Sequence, residues 1–150
     1  MDAIDREILA IVQSEGRISA TELAQRIGLS LTPCHRRLRA LEDSGVIRGY
    51  RAEVDPHQVD LTFATVVSVT LQNVAPGDFL DFEQAVVDLP EVVQAQRLFG
   101  NPDYMLQVVC RDLKAFQELF DTRLSALPGV QRLESTLVMK DIVPHRGLPI

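Results

Sequence analysis

The spacing of apolar residues changes once along this 150-residue chain, near residue 55, and that change excludes a single repeating architecture. Before it, apolar positions recur every three or four residues: Ile4, Ile8, Ile11 and Val12 on one stripe, Leu23 and Ile27 on a second, Cys34, Leu38 and Leu41 on a third. After it, runs rich in β-branched residues alternate with helical stretches. The expected organisation is a helical unit over 1–54, a linker over 55–62 and an α/β unit over 63–150. Each is small, and small units bury a smaller fraction of their surface, so support from a second subunit is expected.

The helical unit carries its own punctuation. Asp2 is placed to cap the first helix, which Gly16 ends; Ser19 and Glu22 have capping-box spacing for the second, which Gly28 stops. Ser30 opens the third, with Pro33 in its first turn, where a missing N–H costs nothing, and Gly45 closes it. Three short helices with a glycine-containing turn between the second and third describe a helix-turn-helix. Residues 46–54 read as extended, giving a winged-type unit, and Asp55-Pro56 breaks that run.

Beyond the linker, 63–71 reads as a buried strand, Pro76-Gly77-Asp78 opens a helix carrying Phe79, Phe82, Val86 and Leu89, and 92–99 is a second strand. Gly100-Asn101-Pro102-Asp103 is a strong turn leading into a third strand over 104–110. Asp112 caps a helix with Phe116, Leu119, Phe120 and Leu124 on one side, and 130–138 is the last strand. The order is βαββαβ, an α+β, ferredoxin-like arrangement with both helices able to cover one sheet face.

Net charge is −6, which speaks against nucleic acid until its distribution is read. Residues 26–51 hold six arginines against Glu42 and Asp43, a local +4; residues 61–150 sum to −4. A phosphate backbone responds to the local field. On the third helix, Thr32, Arg36 and Arg39 fall opposite the apolar seam, with His35 beside them. Guanidiniums there suit guanine O6 and N7, and Thr32 with the helix N-terminus suits a phosphate. The candidate DNA contacts are Ser30, Thr32, Pro33, His35, Arg36, Arg37, Arg39, Arg48 and Arg51. For an arbitrary helix the same residues would be a solvated face; the preceding short helix, the glycine turn and the scarcity of acids favour double-stranded DNA.

Cys34 and Cys110 stand in apolar segments without metal-ligand spacing and read as buried free thiols. No cofactor or metal site is expected. No P-loop, GxSxG or HExxH occurs, and His35, His57 and His145 suggest no shared site, so the chain is not expected to be an enzyme. The opening Met-Asp-Ala-Ile-Asp lacks a leader pattern and no run approaches a membrane span, so a cytoplasmic location is expected.

These residues together resemble the leucine-responsive/asparagine-type (Lrp/AsnC, feast/famine) regulators. The resemblance runs through Ile4-Asp5-Arg6-Glu7-Ile8-Leu9, Gly16-Arg17-Ile18-Ser19, Glu22-Leu23-Ala24, and Gly28-Leu29-Ser30-Leu31-Thr32-Pro33-Cys34. It continues in Leu41-Glu42, Gly45-Val46-Ile47-Arg48-Gly49-Tyr50, the turn from Gly100 to Tyr104, and Leu127-Pro128-Gly129-Val130, nearly the whole chain. It implies a transcription regulator whose subunits pair through their sheets and join into rings, commonly octamers. An amino acid or related metabolite would bind between dimers, around Gly100, Asn101, Pro102, Asp103 and Tyr104, with Thr136, Leu137, Val138 and Met139 of a neighbouring subunit as another wall. The family commonly shows Gly-Asp-aromatic-Asp where this chain has Gly-Asn-Pro-Asp, so one carboxylate is missing and Asp103 is the remaining acceptor. The scaffold also resembles sirohaem decarboxylases, an enzymatic alternative in which histidines and arginines would serve porphyrin carboxylates; a metabolite-storage assembly with an inert first unit is a third.

Overall fold

The computed structural model describes residues 1–72, 77–143 and 146–150, so Pro76, expected to open a helix, and His145 lie outside the described residues. The chain divides into two compact units, Met1–Glu53 together with Ile142–Ile150, and Val54–Asp141. The last residues thus group with the helical unit. The physical reason is a long-range amide clasp: Gln13 bonds both backbone groups of Leu148.

In the first unit α1 (Ala3–Ser14), α2 (Ala20–Arg26) and α3 (Leu31–Asp43) enclose a core of Ile8, Leu9, Val12, Leu23, Ala24, Ile27, Cys34 and Leu41. Asp2 and Asp5 form a reciprocal capping box at the start of α1, each side chain accepting the other's backbone N–H at 2.9 Å. Ser19 caps α2 through Glu22 N–H at 3.1 Å. Gly28 and Gly45 follow α2 and α3 at φ +67° and +75°, a left-handed conformation in which a Cβ would be strained. Residues 46–54, read as extended, lie outside any sheet among the described residues. Among the described residues they pair with no strand, and the segment is tied back to α3 by Ile47 N–H on Leu41 C=O at 3.0 Å.

The second unit contains β1 (Phe63–Leu71), α4 (Asp78–Val87), β2 (Val92–Arg97), β3 (Tyr104–Cys110), α5 (Leu113–Leu119) and β4 (Val130–Leu137); a single π-helical turn, Phe120–Leu124, extends α5. The sheet order is β2-β3-β1-β4, with every neighbouring pair antiparallel. Two split βαβ units interleave, as the element order requires. Alternation along β1 and β3 sends Val67, Val69, Leu71, Tyr104, Leu106, Val108 and Cys110 to one face, where Phe82, Val86, Phe116 and Leu119 of the helices cover them. Val66 and Ser68 of β1 and Met105 and Val109 of β3 point to the other face, which no helix of this unit covers among the described residues.

Candidate nucleic-acid interface and effector site

The reading helix is held by its seam. Cys34 is fully buried, Leu41 nearly so, and Leu38 packs against the same cluster. Burial raises the Cys34 thiol pKa, keeping it protonated and inert. With that side fixed inward, Thr32, His35, Arg36 and Arg39 are exposed on the outer face, and Pro33 is half-buried. Ser30 stands at the N-cap without a side-chain capping bond, so its exposed hydroxyl is not spent on the helix.

Ion pairing sorts the six arginines of this region. Arg26 is committed to Glu15 and Glu22 at 2.5 and 2.9 Å. Arg37 Nη1 bonds both Asp2 and Asp5 at 2.8 Å, tying α3 to the capping box of α1. The backbone N–H of Asp5, then Arg37, holds the Asp2 carboxyl below the usual aspartate range, while Asp5 and Asp2 raise the Arg37 pKa. Arg36, Arg39, Arg48 and Arg51 are exposed and make no ion pair among the described residues. Tyr50, between the last two, donates its hydroxyl to Glu42 at 2.8 Å; burial, then that carboxylate, pushes its pKa up to about 12. No sequence signal marked this Tyr50–Glu42 bond, because it closes across the irregular turn after α3.

In the second unit the turn residues separate into two groups. Asn101 is exposed and lines two neighbouring cavities of about 430 and 160 Å³, and the half-buried Pro102 lines the smaller of them. Thr70 donates to Asn101 Oδ1 at 3.3 Å, and Arg132 and Glu134, bonded to one another, complete the wall. Sequence reasoning missed Thr70, Arg132 and Glu134; the signal was the alternation of β4, since register sets Glu134 opposite Ser68 and Arg132 opposite Thr70. Gly100, at φ +144°, lets the chain enter the turn.

Asp103 and Tyr104 face inward instead. Asp103 Oδ2 accepts the Leu71 N–H at 2.8 Å, and its backbone bonds Val69 C=O and Leu98 N–H at 2.9 and 2.7 Å. It staples the turn to β1. Tyr104 is 2% exposed, with its ring 4.6 Å from that of Phe82 and its hydroxyl donating to Glu83 at 2.7 Å; burial, then Glu83, raises its pKa. Tyr104 thus stands in the core, as its alternation with Leu106 and Val108 dictates. Thr136, Leu137 and Met139 are exposed at and beyond the end of β4, and Val138 is half-buried with its N–H on Ala64 C=O. None of the four lines the cavity beside Asn101.

Residues 1–48 match the family model for a winged helix-turn-helix DNA-binding domain, and residues 64–148 that for the Lrp/AsnC ligand-binding domain. The chain belongs to the Lrp/AsnC family. It is 40% identical over 150 residues to the leucine-responsive regulatory protein of Escherichia coli K12, spanning all of this chain and 92% of that one. To the Bkd operon transcriptional regulator of Pseudomonas aeruginosa it is 38% identical over 151 residues, spanning 98% of that protein. Its fold matches a transcriptional regulator of Neisseria meningitidis solved with L-methionine, at TM-score 0.94 and 36% identity over 99% of this chain and 96% of that one. An AsnC family regulator of Agrobacterium tumefaciens matches at TM-score 0.93 and 33% identity, over 99% and 97%. This Lrp/AsnC protein is accordingly a DNA-binding transcription regulator with a ligand-binding domain. Among the described residues no helix is long and apolar enough to cross a membrane.

Proposed function

We propose that this regulator reads its operator with Thr32, His35, Arg36 and Arg39 in the major groove. Ser30 and Pro33 set the helix N-terminus against a phosphate, and Arg48 and Arg51 follow the adjacent backbone. The observation that carries this reading is the exposure of four arginines without an ion pair, two of them opposite the buried Cys34–Leu41 seam. An arginine on that face can donate two bonds to a guanine edge, a contact worth about 1–3 kcal/mol of discrimination against a wrong base.

The effector is an α-amino acid, held beside Asn101 and Pro102. Arg132 and Glu134 offer a guanidinium and a carboxylate within one cavity, the charge complement of a zwitterion, and Thr70 and Asn101 add neutral polar groups. The Neisseria meningitidis relative bound to L-methionine supports the same class. Subunits pair through the uncovered sheet face, and dimers join into a ring, an octamer, in which Thr136, Leu137, Val138 and Met139 meet a neighbour's turn at Gly100. Large apolar side chains left on the surface of this unit, among them Val93, Phe99 and Leu137, support such assembly. The protein works in the cytoplasm and acts through binding, without a bond-making step.

The test is a binding series on the duplex upstream of its own gene, with Arg36→Ala and Arg39→Ala. Loss of about 1–3 kcal/mol with relaxed sequence preference is expected where an arginine reads a base. Equal loss on every sequence with a shallower salt dependence reassigns that arginine to phosphate. Unchanged affinity in both variants refutes the reading.

A further inference from the structure

We propose that residues 147–150 are a strap that holds the segment 46–51 where Arg48 and Arg51 meet the DNA backbone, so that phosphate contact depends on the chain's last residues. The inference rests on the backbone-contact reading of those two arginines. Its own observations lie entirely within the first unit.

Leu148 N–H donates to Gln13 Oε1 at 2.6 Å, and Gln13 Nε2 donates to Leu148 C=O at 3.4 Å. One side-chain amide thus satisfies both backbone groups of residue 148, as a neighbouring strand would. The approach is close. A Cβ added at Gly147 would lie 3.2 Å from Gln13 Cβ and Oε1, so a larger residue there would displace Gln13. Beyond this clasp Leu148 and Ile150 form one wall of a cavity of about 810 Å³, whose other walls include Leu9 and Val12 of α1 and Val46 and Tyr50 of the irregular segment.

That segment needs such a wall. It has no strand partner, and its two ties to α3, Ile47 N–H on Leu41 C=O and Tyr50 on Glu42, both lie toward one helix. An irregular stretch with few backbone bonds opens locally at low free-energy cost. Arg48 and Arg51 stand on either side of Tyr50, so their reach depends on where this stretch is held. Leu148 and Ile150 face the segment across that cavity, on the side that the two ties to α3 leave open, and Gln13 anchors residue 148 to α1.

The test compares the full chain with a version ending at Arg146, with Gln13→Ala, and with the double variant Arg48→Ala/Arg51→Ala. Affinity for a random-sequence duplex is measured across salt, alongside amide exchange of the free proteins. The salt slope falls by about 0.9 for each phosphate that is no longer neutralised, so by about 1.8 per subunit when both arginines are removed or released. Between 50 and 200 mM salt, affinity then drops about 12-fold less than in the parent. The shortened chain and Gln13→Ala are expected to approach the double variant in slope, and to exchange faster at 46–51 while α3 stays protected. A double variant with reduced slope beside a shortened chain with the parent's slope and exchange overturns the strap. If the double variant keeps the parent's slope, the phosphate reading itself fails and takes the DNA role of the strap with it. Should the shortened chain lose α3 protection, Gln13→Ala decides: parental slope there overturns the proposal.

Discussion

Replacing Asp103 separates two roles that its position in the turn allows. Its Oδ2 accepts the Leu71 N–H at 2.8 Å, at a residue only 5% exposed. Asp103→Ala leaves that amide without a partner where water has little access, which costs about 1–3 kcal/mol. For a domain of this size that is a fall in melting temperature of about 4–8 °C per kcal/mol. Asp103→Asn keeps an oxygen acceptor and loses only the charge assistance, so its cost is expected below about 1 kcal/mol. At the proposed effector site, binding is expected to follow the same order, because the staple holds Asn101 and Pro102 beside Thr70 and Arg132. Titration calorimetry with L-methionine and L-leucine, beside thermal melts of each variant, reads both quantities. The alanine variant is expected to lose stability and effector affinity together, and the asparagine variant to recover most of both. An asparagine variant as stable as the parent but unable to bind the amino acid refutes this reasoning. It would assign the carboxylate to ligand contact, the role the family resemblance implies for this turn.

Arg37→Ala, next to the proposed reader Arg36, is expected to fray α1 while leaving the salt slope of DNA binding at the parent value, because its guanidinium is spent on Asp2 and Asp5; hydrogen exchange at residues 3–7 and a salt titration check it. Since the Asp2 carboxyl is held below its unfolded value, the stability it contributes is complete above the ordinary aspartate range and is lost as pH falls through the lower folded value. Acid unfolding of the first unit, followed by circular dichroism, is therefore expected to be less steep in Asp2→Asn than in the parent. Phe82 is fully buried, its ring 4.6 Å from that of Tyr104, so Phe82→Ala is expected to cost about 3–5 kcal/mol in a denaturant titration. A loss under about 1 kcal/mol would mean that the site collapses around the cavity.

Much of the fold was legible because its signals are local. Asp2, Ser19 and Asp112 cap the helices their spacing assigns them, and the bounds of β1 and β3 match the apolar runs. The inward seam of α3 and the exposed stripe of Thr32, Arg36 and Arg39 followed from helical geometry. Three placements were not legible. Arg37 sits beside Arg36 in the chain, yet its partners lie 32 and 35 residues away. How 46–54 is held was not legible either, because the Tyr50–Glu42 bond closes across the irregular turn after α3. The turn at Gly100 was correctly marked as a turn, but which of its residues face solvent depended on the register of β3 against β1.

Periodicity, caps and glycine placement within the 150 residues determined the two units, the order of their elements and the face of α3 turned outward, because each follows from steric and hydrogen-bonding rules among residues a few positions apart. Tertiary structure alone decided which arginines stay unpaired, that Asp103 turns inward, that Arg132 and Glu134 join Asn101, and that residues 147–150 return to Gln13. Those outcomes depend on distances across the folded chain. A charged or amide side chain is spent or spared according to the partner that packing brings to it, and no spacing along the sequence encodes that partner.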